Sequence, residues 1–297
     1  MKSKINVSLV QFEPEFLHRD ANASRMCAFA RDEARQGAQL IVFPELSNTG
    51  YVEPLAAGEP VYEGTLTHAQ YASRLHEAAS TPDGPLIDSL STIAKEYRTH
   101  IVAGLALREP VHGGLLHNAS VLIGPTGLIG IYRKIHLWHS EKLYFAPGRR
   151  LDVFDTDAGR IGMQICYDIR FPEVTRILGL KGAQIVTSVW AAPWPLGVPL
   201  DDDDAFRHRA YTRAMENGVF FLSCNRVGAQ GAHRFLGRSV IAAPGGHLLA
   251  SSSSESECVV RAELDPACIA DYRSMAPVWV DRRPDVYEEA MAGLPSR

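Results

Sequence analysis

Arg160-Ile161-Gly162-Met163-Gln164-Ile165-Cys166-Tyr167-Asp168-Ile169-Arg170-Phe171-Pro172-Glu173 is the stretch on which the reading of this chain turns. An apolar run leads to one cysteine, and beyond Pro172 the apolar spacing becomes helical through Val174, Ile177 and Leu178. A strand therefore gives way to a helix within a few residues, and Cys166 falls on the bend. Such a bend holds a side chain in the open, and the free backbone N–H groups that begin a helix suit a thiolate or an oxyanion. The same description fits an inert, small apolar residue at the end of a buried strand. Two other stretches shift the balance.

Outward from this bend, strands are predicted over residues 5–12, 39–43, 100–107, 118–124, 128–132, 151–156, 160–165, 184–190, 219–226, 235–243, 247–251 and 258–264. The unbroken apolar run at 39–43 marks a strand covered on both faces. Helices are predicted over 21–36, 68–79 and 86–98, from Pro172 to about 180, up to about 217, and over 266–275. Residues 52–67 and 191–200 read as loop, and 135–148 as an irregular loop rich in aromatics and histidine. The tail 276–297 is polar, with Trp279 and Tyr287 expected to be exposed on little local structure. With no internal repeat and no linker, the reading is one α/β domain over 1–275 and a peripheral tail over 276–297.

Composition narrows the partners. The chain has 297 residues, 46% of them hydrophobic and 22% charged, and a formal net charge of -4. It is long enough to bury a large core. Without a basic stripe, neither nucleic acid nor an anionic membrane is an expected partner. There is no apolar run of about 18 residues and no signal-peptide pattern. The five cysteines are odd in number and lack a C-x-x-C pair, which fits neither zinc nor a disulfide framework and points to a reducing cytoplasm. The acidic run at 201–204 lacks the spacing of a calcium loop; capping and the helix dipole account for acids ahead of a helix. No metal and no cofactor are expected.

Glu45, Lys134 and Cys166 each follow the carboxyl end of a predicted strand. In open α/β sheets that rim is where ligands bind, because the loops diverge there. Singly, each is an ordinary strand-end residue; together, their shared placement favours a site. Its chemistry would be nucleophilic. A thiolate attacks, and a nearby carboxylate takes the thiol proton. A lysine ammonium beside the carbonyl stabilises the oxyanion, a role typically worth about 2.7–4 kcal/mol. The backbone N–H of Tyr167 is the natural second donor.

Val42-Phe43-Pro44-Glu45 with Gly50-Tyr51, Tyr132-Arg133-Lys134-Ile135-His136-Leu137, and Gly162-Met163-Gln164-Ile165-Cys166-Tyr167-Asp168 resemble the three signature blocks of the nitrilase superfamily of carbon–nitrogen hydrolases. The likeness continues through Arg213-Ala214-Met215-Glu216-Asn217, Cys224-Asn225-Arg226-Val227-Gly228 and Gly237-Arg238-Ser239-Val240-Ile241, ending near Arg282-Arg283-Pro284-Asp285-Val286-Tyr287. The resemblance implies a four-layer αββα sandwich whose subunits pair through a helix face, with the C-terminal tail reaching over the partner. It implies Glu45 as general base, Lys134 as oxyanion stabiliser and Cys166 as nucleophile. Glu141 looks like the second glutamate that amidase branches place beside the lysine.

The expected reaction is hydrolysis of a small amide to a carboxylic acid and ammonia through a cysteine thioester. Tyr167-Asp168 stands where nitrile-hydrolysing members carry Trp-Glu, which favours amide over nitrile. The match to Cys-Tyr-Asp-x-Arg-Phe resembles the omega-amidases. Enzymes acting on N-carbamoyl amino acids often carry two adjacent arginines after the Asp, where this chain reads Ile169-Arg170, so bidentate capture of an α-carboxylate is weakened. Arg170 either binds substrate or ties the bend to a carboxylate. Tyr51, Trp190 and Trp194 either line an apolar pocket or pack in the core. The remaining alternatives are an N-carbamoyl amidohydrolase, a nitrile hydrolase and an inactive scaffold that kept the fold.

Overall fold

The computed structural model describes residues 1, 3–51, 66–111, 113–199 and 205–293. Most of the loop expected at 52–67, and the acidic run at 201–204, lie outside the described residues. The first half runs β1 (Ile5–Gln11), α1 (Arg19–Arg35), β2 (Leu40–Phe43), α2 (His68–Ala78), α3 (Pro85–Tyr97), β3 (His100–Arg108), β4 (Leu116–Gly124) and β5 (Gly127–Arg133). The second runs β6 (Val153–Thr156), β7 (Gly159–Ile165), α4 (Pro172–Leu180), β8 (Ile185–Trp190), β9 (Pro193–Pro195), α5 (Ala205–Asn217), β10 (Phe220–Asn225), β11 (Val227–Gln230), β12 (His233–Leu236), β13 (Val240–Ala242), β14 (Leu248–Ser251) and β15 (Cys258–Leu264). Helices α6 (Ala267–Met275), α7 (Val278–Asp281) and α8 (Pro284–Ala292) close the described chain.

Two six-stranded sheets result, ordered β15-β1-β2-β3-β4-β5 and β14-β13-β10-β8-β7-β6. Each has three parallel strands at its centre: β1, β2 and β3 in one, β7, β8 and β10 in the other. These strands are apolar on both sides because both sides are covered. Along β2, Leu40 and Val42 face the core between the sheets, while Ile41 and Phe43 face Met26, Ala30, Leu90 and Ile93 of α1 and α3. Along β10, Phe220 and Leu222 face inward, while Phe221 meets Val174, Leu178, Ala210 and Ala214 of α4 and α5. Helix, sheet, sheet and helix make the four-layer αββα sandwich that the family resemblance implied.

Three sequence expectations are corrected. Residues 191–200 are not all loop: β9 forms the edge of a small sheet, β11-β12-β9. Its prolines are tolerated because an edge strand need not donate on its free side. The single strand expected at 235–243 is two, β12 and β13, broken where Gly237 and Arg238 adopt φ of 68° and 60°. The tail is not devoid of structure. It holds α7 and α8, the latter begun by Pro284, whose missing N–H costs nothing at a helix start. Trp279 is half-buried, with the Arg273 guanidinium 4.6 Å from its ring centroid, whereas Tyr287 is exposed.

Candidate active site

Strand direction brings the residues together. β3, β4 and β5 are successively antiparallel, so β5 runs parallel to β2 and both end on the same rim. Just past β2, Pro44 and Glu45 turn back over β3. There the Pro44 carbonyl accepts from the Gly104 N–H (3.1 Å), and the Ser47 N–H donates to the Gly104 carbonyl (2.7 Å). A Cβ on Gly104 would lie 2.5 Å from both the Glu45 Cα and the Pro44 carbonyl oxygen, so only glycine lets this turn settle.

Glu45 is fully buried. Its Oε1 accepts from Lys134 Nζ (2.7 Å) and Asn118 Nδ2 (2.6 Å), and its Oε2 accepts from the Ala191 N–H (2.7 Å). Lys134, the residue after β5, is also fully buried, and its Nζ donates to Glu141 Oε1 at 2.8 Å. Glu141 sits in a short 3-10 turn, His139–Leu143, where its other oxygen accepts the Trp138 N–H (3.2 Å). The lysine thus lies between two carboxylates.

Cys166 directly follows β7, but the helix does not come at once. A 3-10 turn, Cys166–Arg170, comes between β7 and α4. Cys166 has φ of 43°, in the left-handed region that non-glycine residues avoid at a cost of about 1–3 kcal/mol. The strain is held by Asp168, which is fully buried. Its carboxylate accepts from Ile165 N (3.0 Å), Tyr132 Oη (2.6 Å) and His136 N (3.1 Å), and it lies 2.8 Å from His136 Nδ1. His136 in turn stacks on Phe171, with centroids 3.6 Å apart. Arg213 of α5 adds a clamp, donating to the Ile169 carbonyl at 2.8 Å. Asp168 joins the cysteine bend to the segment that carries Lys134.

Burial, and then the charge of Glu45, push the Cys166 thiol well above its ordinary value; Lys134 and the Ala191 N–H pull the other way. The resting sulfur is therefore a thiol. Burial disfavours the Lys134 ammonium, but Glu141 and Glu45 outweigh it and raise the lysine well above its usual range, so it stays charged. Burial, opposed by Lys134, pushes Glu141 up to about 7.

Cys166 and Glu141 open onto a cavity of about 440 Å³, with Glu45 and Lys134 behind them. Tyr51, Trp190 and Trp194 line it, as do Tyr167 and the exposed side chain of Arg170. Tyr167 is the second residue of the 3-10 turn, where N–H groups have no acceptor within the turn. All the site residues expected from sequence are thus gathered around one space. Sequence reasoning missed Asn118, Gly104, the Ala191 N–H and the Tyr132–Asp168–His136 link. An asparagine at the head of an apolar strand was a readable signal; the others needed the register of the sheets.

Comparison with known proteins places nearly the whole chain among similar sequences and folds. The chain is 35% identical to a nitrilase of Pyrococcus abyssi over 95% of its own length and 99% of the relative's. It is 32% identical to the 2-oxoglutaramate amidase of Bacillus subtilis, over 96% of this chain and 100% of that one. Among solved structures, it is similar to a mutant of the amidase from Nesterenkonia sp. AN1, which carries the acetamide moiety of fluoroacetamide covalently added at its active-site cysteine. That likeness has a TM-score of 0.74, 25% identity and coverage of 97% of each chain. Residues 6–274 match the profile of the carbon–nitrogen hydrolases, and the chain belongs to that family.

Proposed function

We propose that this protein is a cysteine-dependent amidase that hydrolyses small carboxamides to carboxylic acid and ammonia. One observation carries the reading: a thiol, a lysine and two glutamates meet at the end of one cavity, with hydrogen bonds of 2.7 and 2.8 Å linking the lysine to each acid. Glu45 takes the Cys166 proton as the sulfur attacks the amide carbon. Lys134 Nζ and the Tyr167 N–H hold the oxyanion. The tetrahedral intermediate collapses, Glu45 protonates the departing nitrogen, and ammonia leaves a thioester on Cys166. Glu45 then deprotonates a water, which attacks the thioester; the acid departs and the thiol recovers its proton. Glu141 keeps Lys134 charged and orients the amide nitrogen. The amidase relatives support this reading.

A second reading, nitrile hydrolysis, rests on the likeness to the Pyrococcus abyssi nitrilase. Tyr167-Asp168 after the cysteine weighs against it. N-carbamoyl hydrolysis would require a cation after the Asp to hold the carboxylate, and Arg170, the one arginine there, is exposed, which makes that hold weak. Ammonia release across amides, N-carbamoyl compounds and nitriles, for wild type and Cys166→Ala, is the test. The amides should turn over in wild type alone, with an acyl adduct on Cys166 by mass spectrometry. Activity in folded Cys166→Ala would remove the covalent mechanism, and an inert wild type would favour a scaffold.

The subunits are also proposed to pair. Met275, Val280, Val286, Tyr287 and Met291 are large apolar side chains left exposed on α6, α7 and α8, which suits a tail packed on a second copy. Sedimentation of the chain against one truncated after residue 275 tests this. A truncated form as oligomeric as the full chain would dismiss the tail's role.

A further inference from the structure

We infer that the acyl group this site accepts is aromatic or comparably bulky and apolar, in preference to a short dicarboxylic acyl group such as that of the 2-oxoglutaramate for which the Bacillus subtilis relative is named. This rests on the amidase reading and specifies its substrate class. The cavity, about 440 Å³, is far larger than a two-carbon amide fills, and its size falls in the range of pockets for drug-sized ligands. Among the described residues its wall is rich in aromatic rings: Trp190 and Phe206 are buried, Trp138 and Tyr167 half-buried. Trp190 meets Phe206 edge-on at 5.5 Å, and Trp138 meets Tyr167 edge-on at 4.6 Å.

The rim is fixed as well. Trp194 lies on β9, paired to β12, and its indole N–H donates to the Val198 carbonyl at 3.0 Å. Rings held in place by a sheet and by one another bind a flat apolar group without first being ordered.

The cations lining the cavity all keep contact with water. Arg170 is exposed, His233 and Arg209 are half-buried, and the Arg209 guanidinium lies 5.9 Å from the Phe206 ring centroid. A carboxylate meeting an arginine in contact with water gains little, whereas burying a ring gains in proportion to its area. The wall therefore favours a ring over a second carboxylate.

The test compares kcat/KM for phenylacetamide, acetamide and succinamate on the full chain at one pH and ionic strength. Phenylacetamide should exceed succinamate by roughly 30-fold or more, as the burial of a ring implies. Succinamate equal or better overturns the inference while leaving the amidase reading intact. No turnover of any amide and no acyl adduct on Cys166 would overturn both.

Trp194→Ala should lower the phenylacetamide-to-acetamide ratio about tenfold, and Trp194→Phe should keep it within about threefold. If circular dichroism shows that Trp194→Ala has not folded, Trp138→Leu reads the same ratio from a separate element. A ratio unmoved in the folded variants would show that these rings do not select the acyl group.

Discussion

Replacing Asp168 with asparagine should cost both stability and turnover, and the size of the loss follows from the hydrogen bonds. The buried carboxylate receives Ile165 N and Tyr132 Oη on Oδ2, and His136 N and Nδ1 on Oδ1. Asparagine keeps one oxygen and turns the other into an NH2 group. Two donors then face a donor, although the Tyr132 hydroxyl can rotate to accept. Hydrogen bonds to charged groups contribute about 1.5–3 kcal/mol each, so the net loss should be about 2–4 kcal/mol. In a chain of this size that lowers Tm by about 5–15 °C. Turnover should fall further than stability explains. Asp168 braces the strained Cys166 bend against the segment bearing Lys134, and a displacement of about 1 Å at the reacting atoms can cost about 100-fold. The assay is kcat and KM for ammonia release below the variant's Tm, with KM expected to change little. Asp168→Asn with wild-type kcat, folded or destabilised, would refute the claim that this carboxylate positions the nucleophile.

Three further outcomes follow from the same geometry. Glu141, pushed up to about 7 mainly by burial, is protonated below that pH, so kcat/KM should decline as pH falls through about 7 if its carboxylate form is the working one. In Glu141→Gln the remaining activity should lack that limb, and a wild-type profile flat between about pH 6 and 8 would count against the role. Gly104→Ala should push the Pro44–Glu45 turn off β3 and reduce turnover tenfold or more while costing about 1–3 kcal/mol; an unchanged Tm and rate would mean that the backbone yields freely. Lys134→Ala leaves two buried carboxylates without their cation and should destabilise by about 3–5 kcal/mol, measured by urea unfolding; a variant as stable as wild type would show the acids to be neutral in the folded protein.

How much of this was legible in the sequence depended on the range of the interaction. An α/β domain could be read because both-face burial writes unbroken apolar runs such as Leu40–Phe43, whereas the four-layer sandwich was implied by the resemblance of the signature blocks, which cover nearly the whole chain. Glu45, Lys134 and Cys166 could be read as strand-end residues, since the end of an apolar run is a local feature. What failed was what depends on partners distant in sequence. The β9 strand exists only because residues 233–235 pair with 193–195, and two prolines hide it from any propensity argument. The break between β12 and β13 comes from two successive positive φ values, one of them at Arg238, where the sequence gives no warning. Asp168 read as part of a motif, but its work is done through Tyr132 and His136, more than thirty residues earlier.

The pairing of two acids with one lysine has a reason in charge. The resting site holds a neutral thiol, an ammonium and the Glu45 carboxylate 2.7 Å from it. Under the proposed mechanism, thiol attack moves the proton onto Glu45 and the negative charge onto the substrate oxygen. The total does not change; the charge is relocated. Lys134 thereby loses one counter-ion as it gains another, and this exchange makes it a better partner for the transition state than for the ground state. An isolated buried ammonium would be poorly stable during that exchange, because each ion taken from water carries a penalty of several kcal/mol. Glu141 spans the gap. Its hydrogen bond of 2.8 Å to Nζ involves neither the thiol proton nor the oxyanion, so it persists throughout the cycle. Under the proposed mechanism, one acid can exchange a proton with the thiol because the other, on the same lysine, stays in place.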